Sequence, residues 1–350
     1  MMTLDPLILS RLQFFWVVSF HILLPAFTVG LACYIAALEL MHLKTRDRIY
    51  LRISVFWTRI FAISFGLGVV TGIVMPFQFG TNWSRFSDIT SNVIGPLMAY
   101  EGLTAFFLEA SFLGILLFGR KLVPPWAHGF AAVMVALGTL FSSFWILAAN
   151  SWMQTPAGHE IVDGRFHSLD WMAVIFNPSF PYRLSHTVTG FLVTTGFVVV
   201  AVAAYHLRHG RAVEECRRML SMTLWLLTVL VPLQILLGDM HGLNTLEHQP
   251  AKIAALEGHW DTGPCAIHCR GMARPAGRGH ALGARSSLPR KPRPHAFARW
   301  SGAGTEGMAA RRSPAGGDHF LVLSHHGWHR AADAARGGGC SLVAMERTPL

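Results

Sequence analysis

Six apolar runs, each long enough to cross a membrane, constrain this chain more than any other feature. They lie near residues 14–38, 57–79, 95–118, 127–149, 184–206 and 219–238. In hydrocarbon no water pairs with backbone N–H and C=O groups. A run of about 20 apolar residues must therefore satisfy them internally, as a helix. The expected fold class is all-α: a polytopic membrane helical bundle of about six transmembrane helices. Composition agrees, with 52% hydrophobic and 14% charged residues, against about 25% charged in soluble domains. The third run is the weakest, because it contains Glu101 and Glu109. The first is too long for a cleavable secretory signal and has no small-residue cleavage site close behind it.

The net charge of +10 suggests an anionic partner until it is located along the chain. Residues 1–262 carry 16 Lys+Arg and 15 Asp+Glu; residues 263–350 carry 13 and 4. The bundle is thus close to neutral, and no nucleic-acid partner is expected. Residues 265–350 hold no apolar run near membrane length, and their Gly, Pro and Arg content predicts a disordered basic tail. Its cysteines and histidines (Cys265, His268, Cys269; His325, His326, His329) lack zinc-site spacing. Out-of-frame reading of GC-rich coding DNA yields mainly Arg, Gly, Pro and Ala. A change of reading frame near Pro264 is therefore the favoured origin of this tail, and the expected organisation is residues 1–264 as the bundle and 265–350 as a separate segment.

Loop charge predicts orientation. Lys44, Arg46, Arg48 and Arg52 follow the first span; Arg120 and Lys121 follow the third; Arg208, Arg211, Arg217 and Arg218 follow the fifth. The alternate side holds Arg11, Arg85, Arg165, Arg183 and Lys252. This places the N-terminus and the segment after the sixth span outside. Pro25 and Pro232 fall inside spans, which membrane helices tolerate. Gly66, Gly68 and Gly72 in "FGLGVVTG" allow close helix approach and read as packing alone. No phosphate-binding glycine motif, Walker lysine or hydrolase elbow is present.

Ionisable groups at membrane depth are costly, so each is a functional candidate. His21, in "FFWVVSFHILLPAF", can ligate a metal or haem iron through a neutral imidazole, or simply bond a neighbouring carbonyl. His186, in "YRLSHTVTGFL", offers the same chemistry at the outer start of the fifth span, or an imidazole facing water. Glu101 and Glu109 are eight residues apart, which on an α-helix is ~80° and about 12 Å of height. Such a pair suits proton relay or ion binding; the plain alternative is a buried neutral carboxyl. Glu39 and His42 read as solvated headgroup-level groups, and Asn150 as a helix stop. After the sixth span, "QPAKIAALEGHW" has the look of a short helix opening at Pro250. Its Lys252 and Glu257 do not face each other as a helical ion pair, which leaves both available to a ligand or to solvent.

Taken in order, "SRLQFFWVVSFHILLPAFTVGLA", "MPFQFGTNWSRFS", "YEGLTAFFLEASFLG", "WILAANSWMQTPAG", "SHTVTGF" and "QPAKIAALEGHW" closely resemble subunit I of the cytochrome bd-type quinol oxidases, with the cyanide-insensitive branch nearest. The resemblance covers about residues 1–264. It implies a multi-pass subunit of the bacterial cytoplasmic (inner) membrane, with a periplasmic N-terminus and quinol loop. It implies a low-spin haem b, a high-spin haem b and a haem d, a membrane quinol as substrate, oxygen reduced to water, and a second membrane subunit (subunit II) as partner. By motif, His21 resembles the axial histidine of the oxygen-reducing haem centre, and His186 the histidine of the low-spin haem. Glu101 and Glu109 resemble the carboxylates near the haem b/d pair, and Lys252 and Glu257 the quinol-site residues. The family's later spans, which supply a methionine and a glutamate haem ligand, have no counterpart in residues 265–350. The resemblance therefore implies that this chain alone holds fewer than three haems and sustains no oxidase activity. A second reading is a six-helix ion-coupled transporter with Glu101 and Glu109 as its ion site.

Overall fold

The computed structural model describes residues 5–257. The expectations for residues 265–350 lie outside the described residues. Among the described residues, six helices are long and apolar enough to cross a membrane. They are α1 (Pro6–Thr45), α2 (Arg48–Thr81), the composite Ser84–Lys121, α5 (Pro125–Gln154), α7 (Phe180–Arg208) and α8 (Val213–His248). The composite joins α3 (Ser84–Tyr100), a π-helical turn at Glu101–Phe106, α4 (Phe107–Phe118) and a 3-10 turn at Gly119–Lys121. Each apolar run in the sequence falls inside one of these six, so the polytopic helical bundle is as expected. The chain divides into two units, Trp16–Pro250 and Met1–Phe15 together with Ala251–Leu350. Of the second, residues 5–15 and 251–257 are described; α9 (Pro250–Glu257) is the short helix opening at Pro250.

Local chemistry fixes the helix ends. Asp47 caps α2, its carboxylate accepting the Ile49 N–H at 2.9 Å. Between α5 and α7 runs an antiparallel hairpin, β1 (His159–Val162) and β2 (Arg165–Ser168), with Val162 opposite Arg165. Its two-residue loop, Asp163–Gly164, has φ of 50° and 76°. These positive values at both positions match the twist of the strands, and an Asp–Gly pair tolerates them. The short helix α6 (Trp171–Ile175) follows, capped by Asp170, which accepts from Met172 N at 2.8 Å.

The main core joins α1, α2, α5, α7 and α8 through Leu31, Ile35, Trp57, Phe61, Val135, Val199 and Cys216, all fully buried. Helix α1 meets α7 closely at Gly30, where a Cβ would stand 2.7 Å from the Phe191 carbonyl oxygen. Thr195 then donates to the Phe27 carbonyl at 2.8 Å, an interhelical bond of the kind that holds membrane helices together.

The expectations for four residues need correction here. Glu39 is not solvated at the headgroup level: it is 2% exposed. The Arg120 guanidinium lies 2.5 Å from its carboxylate, His128 Nδ1 lies 3.3 Å away, and Ser54 donates to it. His128 in turn stands 3.1 Å through Nε2 from the Leu116 carbonyl, near the end of α4. A charge at that depth persists because a guanidinium, an imidazole and a hydroxyl surround it. His42 is half-buried, its Nδ1 2.9 Å from the Asp47 carbonyl. Asn150 does not stop a helix: α5 runs on to Gln154, and Asn150 accepts from Arg183 at 3.1 Å. Arg183, expected as an outer-loop charge, is a buried residue of α7.

Candidate functional site

His21 sits in the middle of α1, half-buried, and faces α2. Its Nδ1 is 3.0 Å from the Thr71 hydroxyl oxygen. Gly72, the next residue, lies beneath the ring: a Cβ there would stand 3.2 Å from His21 Cε1. Two residues of "FGLGVVTG", Thr71 and Gly72, thus contact a candidate ligand. The sequence carried no signal for this, because glycine spacing alone cannot say which side chain lies across it.

His186 lies near the start of α7, half-buried, and faces α8. Its Nε2 is 3.3 Å from the Gln234 amide nitrogen. Its ring centroid is 5.7 Å from that of His241. Gln234 and His241 are two turns apart on α8 and so share a face. Gly190, one turn beyond His186, makes room for Gln234, with 3.2 Å from a Cβ there to its Nε2.

The carboxylates correct the helical estimate. Glu101 opens the π turn, which spans six residues. A π turn takes about 4.4 residues at roughly 82° each. The rotation from Glu101 to Glu109 therefore falls to about 710°, within roughly 10° of two full turns, instead of 80° past them. Both side chains accordingly meet α5. Glu101 accepts from the Ser142 hydroxyl at 2.7 Å. Glu109, 6% exposed, lies over Gly138, one turn earlier on α5. A Cβ at 138 would stand 2.6 Å from Glu109 Cγ. Trp145, one further turn along, donates to Thr104 at 2.9 Å and stacks on Tyr100 with centroids 5.2 Å apart. The π turn is thus locked to one face of α5.

Lys252 and Glu257 both fall on α9. The structure brings Glu101 and Glu109 to one helix face and puts each histidine at its own interhelical contact. Among the described residues no group of three or more His, Cys, Asp or Glu side chains could hold a metal ion.

A membrane bundle with half-buried imidazoles and two carboxylates on one helix face defines an integral membrane protein equipped for buried polar chemistry. The family model "Cytochrome bd terminal oxidase subunit I" matches residues 9–282. The chain is 37% identical over 259 residues to cytochrome bd ubiquinol oxidase subunit 1 of Bacillus subtilis (strain 168), covering 74% of this chain and 55% of that one. It is 36% identical over 262 residues to cytochrome bd-II ubiquinol oxidase subunit 1 of Escherichia coli (strain K12), covering 74% and 51%. The bd oxidase structure from Geobacillus thermodenitrificans matches with TM-score 0.69 and 31% identity, over 73% of this chain and 60% of that one. The chain belongs to the cytochrome bd terminal oxidase subunit I family. It spans about half the length of the curated relatives it matches. Family membership does not favour the ion-transporter reading.

The donor chemistry at His21 fits a haem. One ring nitrogen is held by a hydroxyl, as second partners of iron-ligating histidines commonly hold it, and no hydrogen bond engages Nε2 among the described residues.

Proposed function

We propose that the chain is part of a respiratory oxidase that takes electrons from a membrane quinol and reduces oxygen to water. Two quinols release four electrons and four protons on the outer side. Four electrons and four protons from the inner side convert one oxygen molecule to two waters. The supporting observation is the set of ionisable side chains held at membrane depth, each against a neighbouring helix, in a chain of this family.

In this reading Lys252 and Glu257 bind the quinol head, Lys252 as a donor to a quinol oxygen and Glu257 as an acceptor for its hydroxyl hydrogen. His186 holds the low-spin haem b, and His21 holds iron of the oxygen-reducing centre. When bound, the haems b and haem d supply the electron path and the oxygen-binding iron. Glu101 and Glu109 deliver protons and offset charge there. The N-terminus and quinol loop are periplasmic, and a second membrane subunit completes the enzyme.

The test is quinol-dependent oxygen consumption in membranes carrying the partner subunit and the chain with its reading frame shifted near codon 264, so that the later ligand-bearing spans are supplied. Lys252→Ala and Glu257→Ala should each raise the KM for quinol at least about tenfold, as loss of a charge-assisted contact predicts. Unchanged KM in both variants would refute the assignment.

A further inference from the structure

The His21 assignment requires an imidazole that offers one chosen nitrogen in one orientation, and α2 carries the means to impose both. Thr71 Oγ1 lies 3.0 Å from His21 Nδ1. The same oxygen lies 3.0 Å from the Leu67 carbonyl and 3.0 Å from the Gly68 carbonyl. Carbonyl oxygens only accept. A hydroxyl has a single hydrogen, and two carbonyls of its own helix stand ready to accept it. Toward His21 the Thr71 oxygen can then only accept. With the hydroxyl so engaged, the imidazole hydrogen sits on Nδ1 and Nε2 carries the lone pair, which is the form that ligates iron.

Gly72 fixes the second quantity. A Cβ at this position would stand 3.2 Å from Cε1, 3.9 Å from Nδ1 and 4.0 Å from Nε2. The ring thus rests so close to the backbone of α2 that a Cβ there would push it back slightly. A hydroxyl that selects the tautomer is followed at once by a residue without a side chain that admits the ring.

We propose that Thr71 and Gly72 are positioning residues for His21: Thr71 holds the hydrogen on Nδ1, and Gly72 sets the ring's height above α2. This rests on the reading of His21 as a haem ligand, and deepens it. The pair turns part of "FGLGVVTG" from a packing stripe into the support of a ligand.

The experiment is nitrogen-15 NMR of the full chain in detergent, labelled at histidine, with the His21 signals identified by their loss in His21→Ala. The parent should show a roughly tenfold or greater excess of the Nδ1–H form. Thr71→Ser, which keeps the hydroxyl, should preserve it. Thr71→Val, which keeps the shape, should bring the two tautomers toward parity. Gly72→Ala should keep the tautomer and shift the ring signals. Hydrogen on Nε2 in the parent, or the same Nδ1–H excess in Thr71→Val, overturns the proposal. Should Thr71→Val fail to accumulate, the parent tautomer and the Gly72→Ala shift decide it. The ligand reading fails separately, if His21→Ala leaves the haem absorption of the holo-complex unchanged.

Discussion

Replacing Glu39 by Gln should destabilise the bundle strongly, because its carboxylate is buried near the Thr45 end of α1. The carboxylate meets Arg120 at 2.5 Å and His128 at 3.3 Å, and accepts from Ser54. Glutamine keeps the shape and removes the charge, which leaves two cationic or donor groups facing a neutral amide. Removing one partner of a buried pair costs about 3–5 kcal/mol. Arg120 keeps 29% of its side chain exposed and can turn to water, so the low end applies, about 3 kcal/mol. At about 2–4 °C per kcal/mol for a chain of this size, the melting temperature should fall by roughly 6–12 °C. Ser54→Ala removes one hydrogen bond to the same carboxylate and should cost about half as much. The assay is tryptophan fluorescence during a thermal ramp of the purified chain in detergent; Trp57, fully buried in the same core, reports on it. A Glu39→Gln chain that melts within about 2 °C of the parent would refute the reasoning. So would a Ser54→Ala chain that loses as much as Glu39→Gln.

Two further outcomes follow from the same geometry and the sequence break. Gly138→Ala should lower oxygen consumption about tenfold or more in the assembled oxidase, because the new Cβ would overlap Glu109 Cγ at 2.6 Å; the loss should be smaller in a Glu109→Gln background, where both changes act through one carboxylate. Shifting the reading frame of the coding DNA near codon 264 should restore apolar runs of about 20 residues; if no frame does so, the frame-change reading of residues 265–350 is wrong.

How far the chain could be read without its structure depended on whether a signal was local. Each of the six spans is a continuous apolar run, and each became a helix. The hairpin has a local signal too, Asp163–Gly164 in "IVDGRF". The burial of Glu39 had none. A carboxylate at the end of an apolar run reads as a headgroup-level charge, and its partner Arg120 is 81 residues away. The π turn was equally hidden, since "EGLTAF" has no residue that forbids an ordinary helix. Helical spacing already puts Glu101 and Glu109 on one broad face; the contacts with Ser142 and Gly138 narrow it to a single face of α5. Thr71 and Gly72 were visible as residues but not as a support, because the side chain they hold is on another helix.

The most direct test of the central claim is the reduced-minus-oxidised absorption spectrum of the chain purified with its partner subunit, beside His21→Ala and His186→Ala. The account predicts haem bands in the parent, selective loss of the low-spin b-type band in His186→Ala, and loss of signal from the oxygen-reducing centre in His21→Ala. A parent without a Soret band, or two variants with the parent's spectrum, would contradict it.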